Sequence, residues 1–178
     1  MSDAELVVRL ATLDEVRPLQ QAVLRPNGPL PGDAPPPPDA VHVGTFDGAG
    51  TAVGAASVLP APWPGPGTLP APCWQLRSMA VGTEHRGSGV GALVLALAAD
   101  SAAAHGAASL WAAARVPALG FYERAGWSVV GDEWIKPGVG PHRYVTLRLA
   151  SQGAASDPDP GGRSVLRRAR SRPVTRGD

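Results

Sequence analysis

The order of secondary-structure signals along the 178 residues predicts an α/β fold, with one domain at 1–150 and a separate tail at 151–178. Three observations carry this expectation. Strand-like stretches and helix-like stretches interleave in the order βαββ and then β-α-β-α-ββ, which makes one sheet of about six to seven strands with mixed pairing. One of the strands runs directly into the glycine-rich turn Arg86-Gly87-Ser88-Gly89-Val90-Gly91 at the start of a helix. The strand after that helix leads into a short helical segment opened by Pro117 and closed by Gly126.

The elements follow from local chemistry. Residues 5–12 are rich in β-branched and aliphatic side chains and read as an edge strand. Thr12 then caps a helix over 13–24, where Leu13, Val16, Leu19 and Val23 recur at helical spacing and Asp14 and Glu15 sit in the first turn, near the positive end of the dipole. Pro26 and Asn27-Gly28-Pro29 end it. The stretch 29–38, with four consecutive prolines at 35–38, is an extended loop expected to border the substrate site. Residues 41–46 and 51–59 flank the turn Asp47-Gly48-Ala49-Gly50 and read as a hairpin. After a second Pro/Gly segment at 60–72 come a strand over 73–81, a helix over 89–105 stopped by Gly106, and a strand over 109–115. A short helix over 117–125 and strands near 127–134 and 143–149 complete the domain.

Composition narrows the function classes. With 44% hydrophobic residues the chain can bury a core of its own. The single Cys73 excludes an internal disulfide and, beside Pro72 and Trp74 at a strand start, is a packing position rather than a nucleophile. No stretch has the length of a membrane span or the layout of a signal peptide, so a cytoplasmic protein without a membrane partner is expected. The formal net charge of +1 is uneven: residues 1–150 hold 10 Lys+Arg against 12 Asp+Glu, and 151–178 hold 6 Arg against 3 Asp. The body is therefore no nucleic-acid binder by charge. The Arg-rich tail, with six apolar side chains in 28 residues, cannot repay its ordering entropy and is expected to be disordered.

The chemistry concentrates in the turn. At Gly87 and Gly89 a missing Cβ permits positive φ and close approach of a phosphate, Gly91 lets the first helical turn pack tightly, and Arg86 adds a cation. Unpaired N–H groups and the dipole complete an anion site. A Gly-x-Gly-x-Gly string alone also fits an ordinary turn. A dinucleotide site would need Gly-x-Gly-x-x-Gly, but Ala92 holds the third glycine position, and a P-loop would need Gly-Lys-Ser/Thr.

Arg86-x-x-Gly89-x-Gly91 resembles the acyl-CoA pyrophosphate signature of the GCN5-related N-acetyltransferases (GNAT), and Ala118-x-x-Phe121-Tyr122-x-x-x-Gly126-Trp127 resembles their tyrosine helix. The likeness is strongest over 73–134. Further stretches, Ala114-Arg115 and Gly138-Val139-Gly140-Pro141-His142 among them, resemble a bacterial subgroup of uncharacterised acetyltransferases. The resemblance implies a mixed, mostly antiparallel sheet in which strands 73–81 and 109–115 splay apart and admit the pantetheine arm of acetyl-CoA. The backbone of Met79, Ala80 and Val81 would then pair with pantetheine as a missing strand does. Arg86, Gly87, Ser88, Gly89, Val90 and Gly91 would hold the pyrophosphate, and Arg115 would contact the cofactor where many family members carry asparagine.

The activity implied is transfer of an acetyl group from acetyl-CoA directly to a small-molecule or peptide amine, without a metal. Tyr122 occupies the position whose hydroxyl serves the leaving thiolate. His42, His142, Glu133 and Asp33 are candidates for the base, and His85 adjoins the turn. The alternatives are a non-catalytic acyl-CoA-binding regulator, against which Tyr122 argues, and an acyltransferase with a hydroxyl acceptor or longer acyl group. A homodimer is left open.

Overall fold

The computed structural model describes residues 6–29 and 34–150; Glu5, Asp33 and the tail expected at 151–178 lie outside the described residues. The elements are β1 (Val7–Ala11), α1 (Leu13–Leu24), β2 (Val41–Phe46), β3 (Ala52–Pro60), β4 (Cys73–Val81), α2 (Val90–Ala104), β5 (Ser109–Arg115), α3 (Leu119–Arg124), β6 (Ser128–Lys136) and β7 (Gly140–Arg148). They build one seven-stranded sheet in the order β1-β2-β3-β4-β5-β7-β6, with β1 at an edge as expected. Every neighbouring pair is antiparallel except β4 and β5.

The helices cover opposite faces. A side chain on α1, Gln20, reaches Ser57 of β3, whereas Gly54 of the same strand lies under Val90 and Val94 of α2; an odd separation along a strand puts the two on different faces. The main core lies between α2 and the sheet, where Val94, Leu95 and Ala98 meet Ala56, Val58, Trp74, Leu76, Leu110 and Val145. Thr12 caps α1 as expected, and Glu15 returns the bond: the Glu15 amide donates to Thr12 Oγ1 at 3.3 Å while the Thr12 amide donates to Glu15 Oε2 at 2.8 Å. Arg9, 2.7 Å from Glu15, is the first cause of a carboxyl pKa lowered to about 2.

Several element boundaries differ from the sequence expectation by one to three residues, and four of these differences bear on the site. The helix expected over 117–125 divides into a 3-10 turn, Val116–Ala118, and α3. Helix α2 begins at Val90 because Gly89 is its left-handed cap. Strand β6 runs to Lys136, beyond the expected 134. Strand β7 begins at Gly140 rather than at 143, since Gly-Pro reads locally as loop but Pro141 pairs with Ile135 at the end of the ladder, where a missing N–H costs little. His142 is thereby a strand residue.

Candidate active site

Strands β4 and β5 keep parallel register for only three pairs, Cys73–Ser109, Trp74–Leu110 and Gln75–Trp111, and then part. The cause is on the other side of β4. Between the pairs Ser57–Arg77 and Ala55–Ala80 the strand carries one residue more than β3, a bulge in which Ser78 adopts φ 53°. Gln20, buried on α1, donates from Nε2 to the Ser78 carbonyl at 3.1 Å and so pins the bulge to the helix. The expected splay is present, and it opens a cleft of about 840 Å³ between the two strand ends.

At one end of the cleft lies the glycine turn. Gly87 and Gly89 have φ of 79° and 89°, which only glycine adopts without strain, and nothing within 4 Å would meet a Cβ at either. Helix α2 has no side-chain cap and no acidic residue in its first turn, so its leading N–H groups keep their capacity for an anion. At Gly91 the constraint is packing: a Cβ would stand 2.9 Å from Phe121 Cε2, so the glycine seats α3 against α2.

Helix α3 ends with Gly126 at φ 85°, the Gly126 amide donating to the Glu123 carbonyl and the Trp127 amide to the Tyr122 carbonyl. This turn folds Trp127 back onto Tyr122, whose ring sits edge-on between Phe121 at 5.3 Å and Trp127 at 5.4 Å. Tyr122 is 5% exposed, lines the cleft, and has its pKa pushed up to about 12 by burial. Its phenol is fully protonated at neutral pH.

Across the cleft His142, 3% exposed, stands opposite Arg115 in the β5–β7 register. Its Nδ1 lies 2.8 Å from the Gly140 carbonyl oxygen. A carbonyl only accepts, so Nδ1 carries the proton and Nε2 keeps the free lone pair. Burial first, then the charges of Lys136 and Arg115, hold the imidazole below 6.5 against the opposing pull of that hydrogen bond. It is neutral at pH 7.

Of the expected cofactor residues, Met79, Ala80, Val81, Arg86, Gly87, Gly89, Gly91 and Arg115 line the cleft. Ser88 and Val90 do not: Ser88 Oγ turns back to donate to the His85 carbonyl at 2.6 Å, and Val90 is buried over Gly54. Among the base candidates only His142 lines it. His42 instead bonds Ser57 at 2.8 Å beside α1, Glu133 is exposed on β6, and Asp33 lies outside the described residues. Cys73 is half-buried where β4 starts, 3.5 Å from the Pro70 carbonyl, a packing position. Two features had no local signal, the anchored tautomer of His142 and the charge of the cavity. Arg25, Arg77, Arg86, Arg115, Arg124 and Lys136 line the cleft, with no carboxylate among its described residues. A body of slightly negative charge thus holds a positive cleft.

Comparison with known proteins gives the same picture. The model of the acetyltransferase (GNAT) family matches residues 14–127. The uncharacterized N-acetyltransferase YitI of Bacillus subtilis (strain 168) is 32% identical over 111 residues, 61% of this chain and 72% of that protein. Among solved structures, nourseothricin acetyltransferase is similar with a TM-score of 0.61 at 19% identity over 82% of this chain and 99% of its own. ElaA of Escherichia coli is similar at 0.60, with 18% identity over 80% of this chain and 98% of its own. An acetyltransferase of the GNAT family from Staphylococcus aureus Mu50 also scores 0.60, with 12% identity over 82% of this chain and 100% of its own. At these identities the structures speak for the fold.

Proposed function

Because the chain belongs to the acetyltransferase (GNAT) family, which implies acyl-CoA-dependent acetyl transfer, we propose that it moves an acetyl group from acetyl-CoA to a primary amine by direct attack. The observation that carries this reading is the single cleft that joins an uncapped helix N-terminus, an unpaired strand edge, a buried phenol and a neutral histidine. The first turn of α2 with Arg86 would take the pyrophosphate, and the edge of β4 at Met79, Ala80 and Val81 the pantetheine amides. Ser88 and Val90 would contribute backbone alone.

Three tasks remain for the protein. The amine must be neutral to attack, and Nε2 of His142 is the group whose lone pair is free to take its proton, directly or through water. Backbone N–H groups on the unpaired β4 edge would hold the carbonyl oxygen as charge develops on it. As the C–S bond breaks, the thiolate accepts a hydrogen bond from the Tyr122 hydroxyl. A phenol with a pKa of about 12 is a weaker acid than an ordinary thiol, near 8.5, so Tyr122 stabilises the departing sulfur chiefly as a donor, with full transfer favoured only as burial raises the thiol as well.

CoA-thiol release from acetyl-CoA over a panel of amines, beside calorimetric binding of CoA, tests the reading. Release with at least one amine supports it. Binding of CoA without release from any amine would replace it with a non-catalytic acyl-CoA sensor.

A further inference from the structure

A second cavity, of about 500 Å³, opens between α1, residues 34–36 and the sheet, and shares Arg25, Arg77 and Ser78 with the acyl-CoA cleft. Its chemistry is one-sided. Arg77 approaches it from β4, Arg25 from the end of α1, and Arg17 from α1, where its guanidinium also lies 3.8 Å from the exposed carboxylate of Asp14; no carboxylate is among the described lining residues themselves. An ammonium-rich acceptor needs the opposite wall, carboxylates or aromatic faces, and would be repelled here.

The polar floor is also arranged for an acceptor group. Gln20 Nε2 is used on the Ser78 carbonyl and, at 3.5 Å, on Ser57 Oγ, which itself meets His42 Nδ1 at 2.8 Å. Burial first, then the charge of Arg17, lowers the His42 pKa and so favours its neutral form, and Gln20 and Ser57 are uncharged, so the floor brings no carboxylate beneath the arginines. Leu13, Leu59 and Pro35 supply apolar wall beside them.

We propose that this cavity binds the acceptor, and that the acceptor is an amine bearing a carboxylate, held at that carboxylate by Arg77 and Arg17 with its amino group directed to the shared boundary at Ser78. The inference deepens the acyl-transfer reading and rests on it for the fate of the amine, not for binding. Guanidinium groups suit a carboxylate because their fork matches its two oxygens. The same positive surroundings lower the pKa of a nearby ammonium and raise the share of the attacking neutral form.

The test uses the full chain and matched probes: the common α-amino acids, their primary amides, and the corresponding decarboxylated amines, titrated calorimetrically with and without CoA. At least one amino acid is expected to bind tenfold or more tighter than its amide and its amine, and Arg77→Gln and Arg17→Gln should shrink that ratio while the variants still melt cooperatively. In the thiol-release assay the same amino acid should give the highest kcat/KM. Equal or tighter binding of the amides or amines, or no binding by any amino acid, would overturn the proposal. Carboxylate-selective binding without any thiol release would leave the cavity as inferred and remove the acyl-transfer reading instead.

Discussion

Replacing Tyr122 by phenylalanine removes one oxygen from a buried ring and leaves its contacts with Phe121 and Trp127 in place. None of the hydrogen bonds described for the chain involves that hydroxyl, so at pH 7 the variant should unfold within about 0.5 kcal/mol of the wild type. Stability should diverge only in alkali. The phenol pKa rises from 10.0 in the open chain to about 12 when folded, because burial disfavours the phenolate. Below pH 10 both states are protonated and nothing is at stake; above it the unfolded chain ionises while the folded one resists. The wild type should therefore lose about 2 to 3 kcal/mol between pH 10 and 12, and Tyr122→Phe should not. Every other alkaline group is common to both proteins and cancels in the difference.

Catalysis should move differently. Loss of the donor is expected to lower kcat by about 10²-fold, which is about 2.7 kcal/mol of barrier, with CoA affinity unchanged within a few-fold. The assays are denaturant melts at pH 7 and 11, calorimetry with CoA, and initial rates of thiol release. A rise in KM alone would mean that the hydroxyl only binds. Wild-type kcat in the variant, with chemistry shown to limit the rate, would refute the role of Tyr122, and equal melts at pH 11 would refute its burial.

Three other variants probe separate parts of the site. Gly89→Asp places a carboxylate at the mouth of α2, with some backbone strain at its positive φ but open space for the side chain, and should weaken CoA binding well over tenfold, about 1.4 kcal/mol or more, by calorimetry on a variant shown to be folded. Gly54→Ala puts a methyl 2.5 Å from Val90 Cγ1 and 3.0 Å from Val94 Cγ2, and should cost about 1 to 3 kcal/mol in a urea melt. For His142 the folded pKa lies below 6.5, so kcat/KM should fall as pH drops through that lower value; His142→Gln should be slower at pH 7 and lack this acid limb. A wild-type pH profile in His142→Gln would assign the base elsewhere.

What was legible in the sequence is what depends on a few adjacent residues. Thr12 before Asp14-Glu15 specified the start of α1, and Asp47 to Gly50 the hairpin turn, where Asp47 Oδ1 accepts from the amides of Ala49 and Thr51. The glycines at 87, 89, 106 and 126 each adopt positive φ, and so the turn before α2 and the ends of α2 and α3 could be placed from their spacing. The position of Tyr122 followed from the same local grammar. The tertiary structure decided the rest, because it depends on residues far apart in the chain. The gap between β4 and β5 requires a bulge at Ser78 that Gln20 holds across 58 positions. Ser88 and Val90 left the cleft wall because His85 and Gly54 claimed them. His142 could be separated from His42 and Glu133 only once β7 stood beside β5, opposite Arg115. The sign of the cavities was hidden most completely. Arg17, Arg77 and Arg115 are scattered through a slightly acidic body, and only the fold brings Arg17 and Arg77 to one cavity and Arg77 and Arg115 to the other, with no carboxylate among the described lining residues of either.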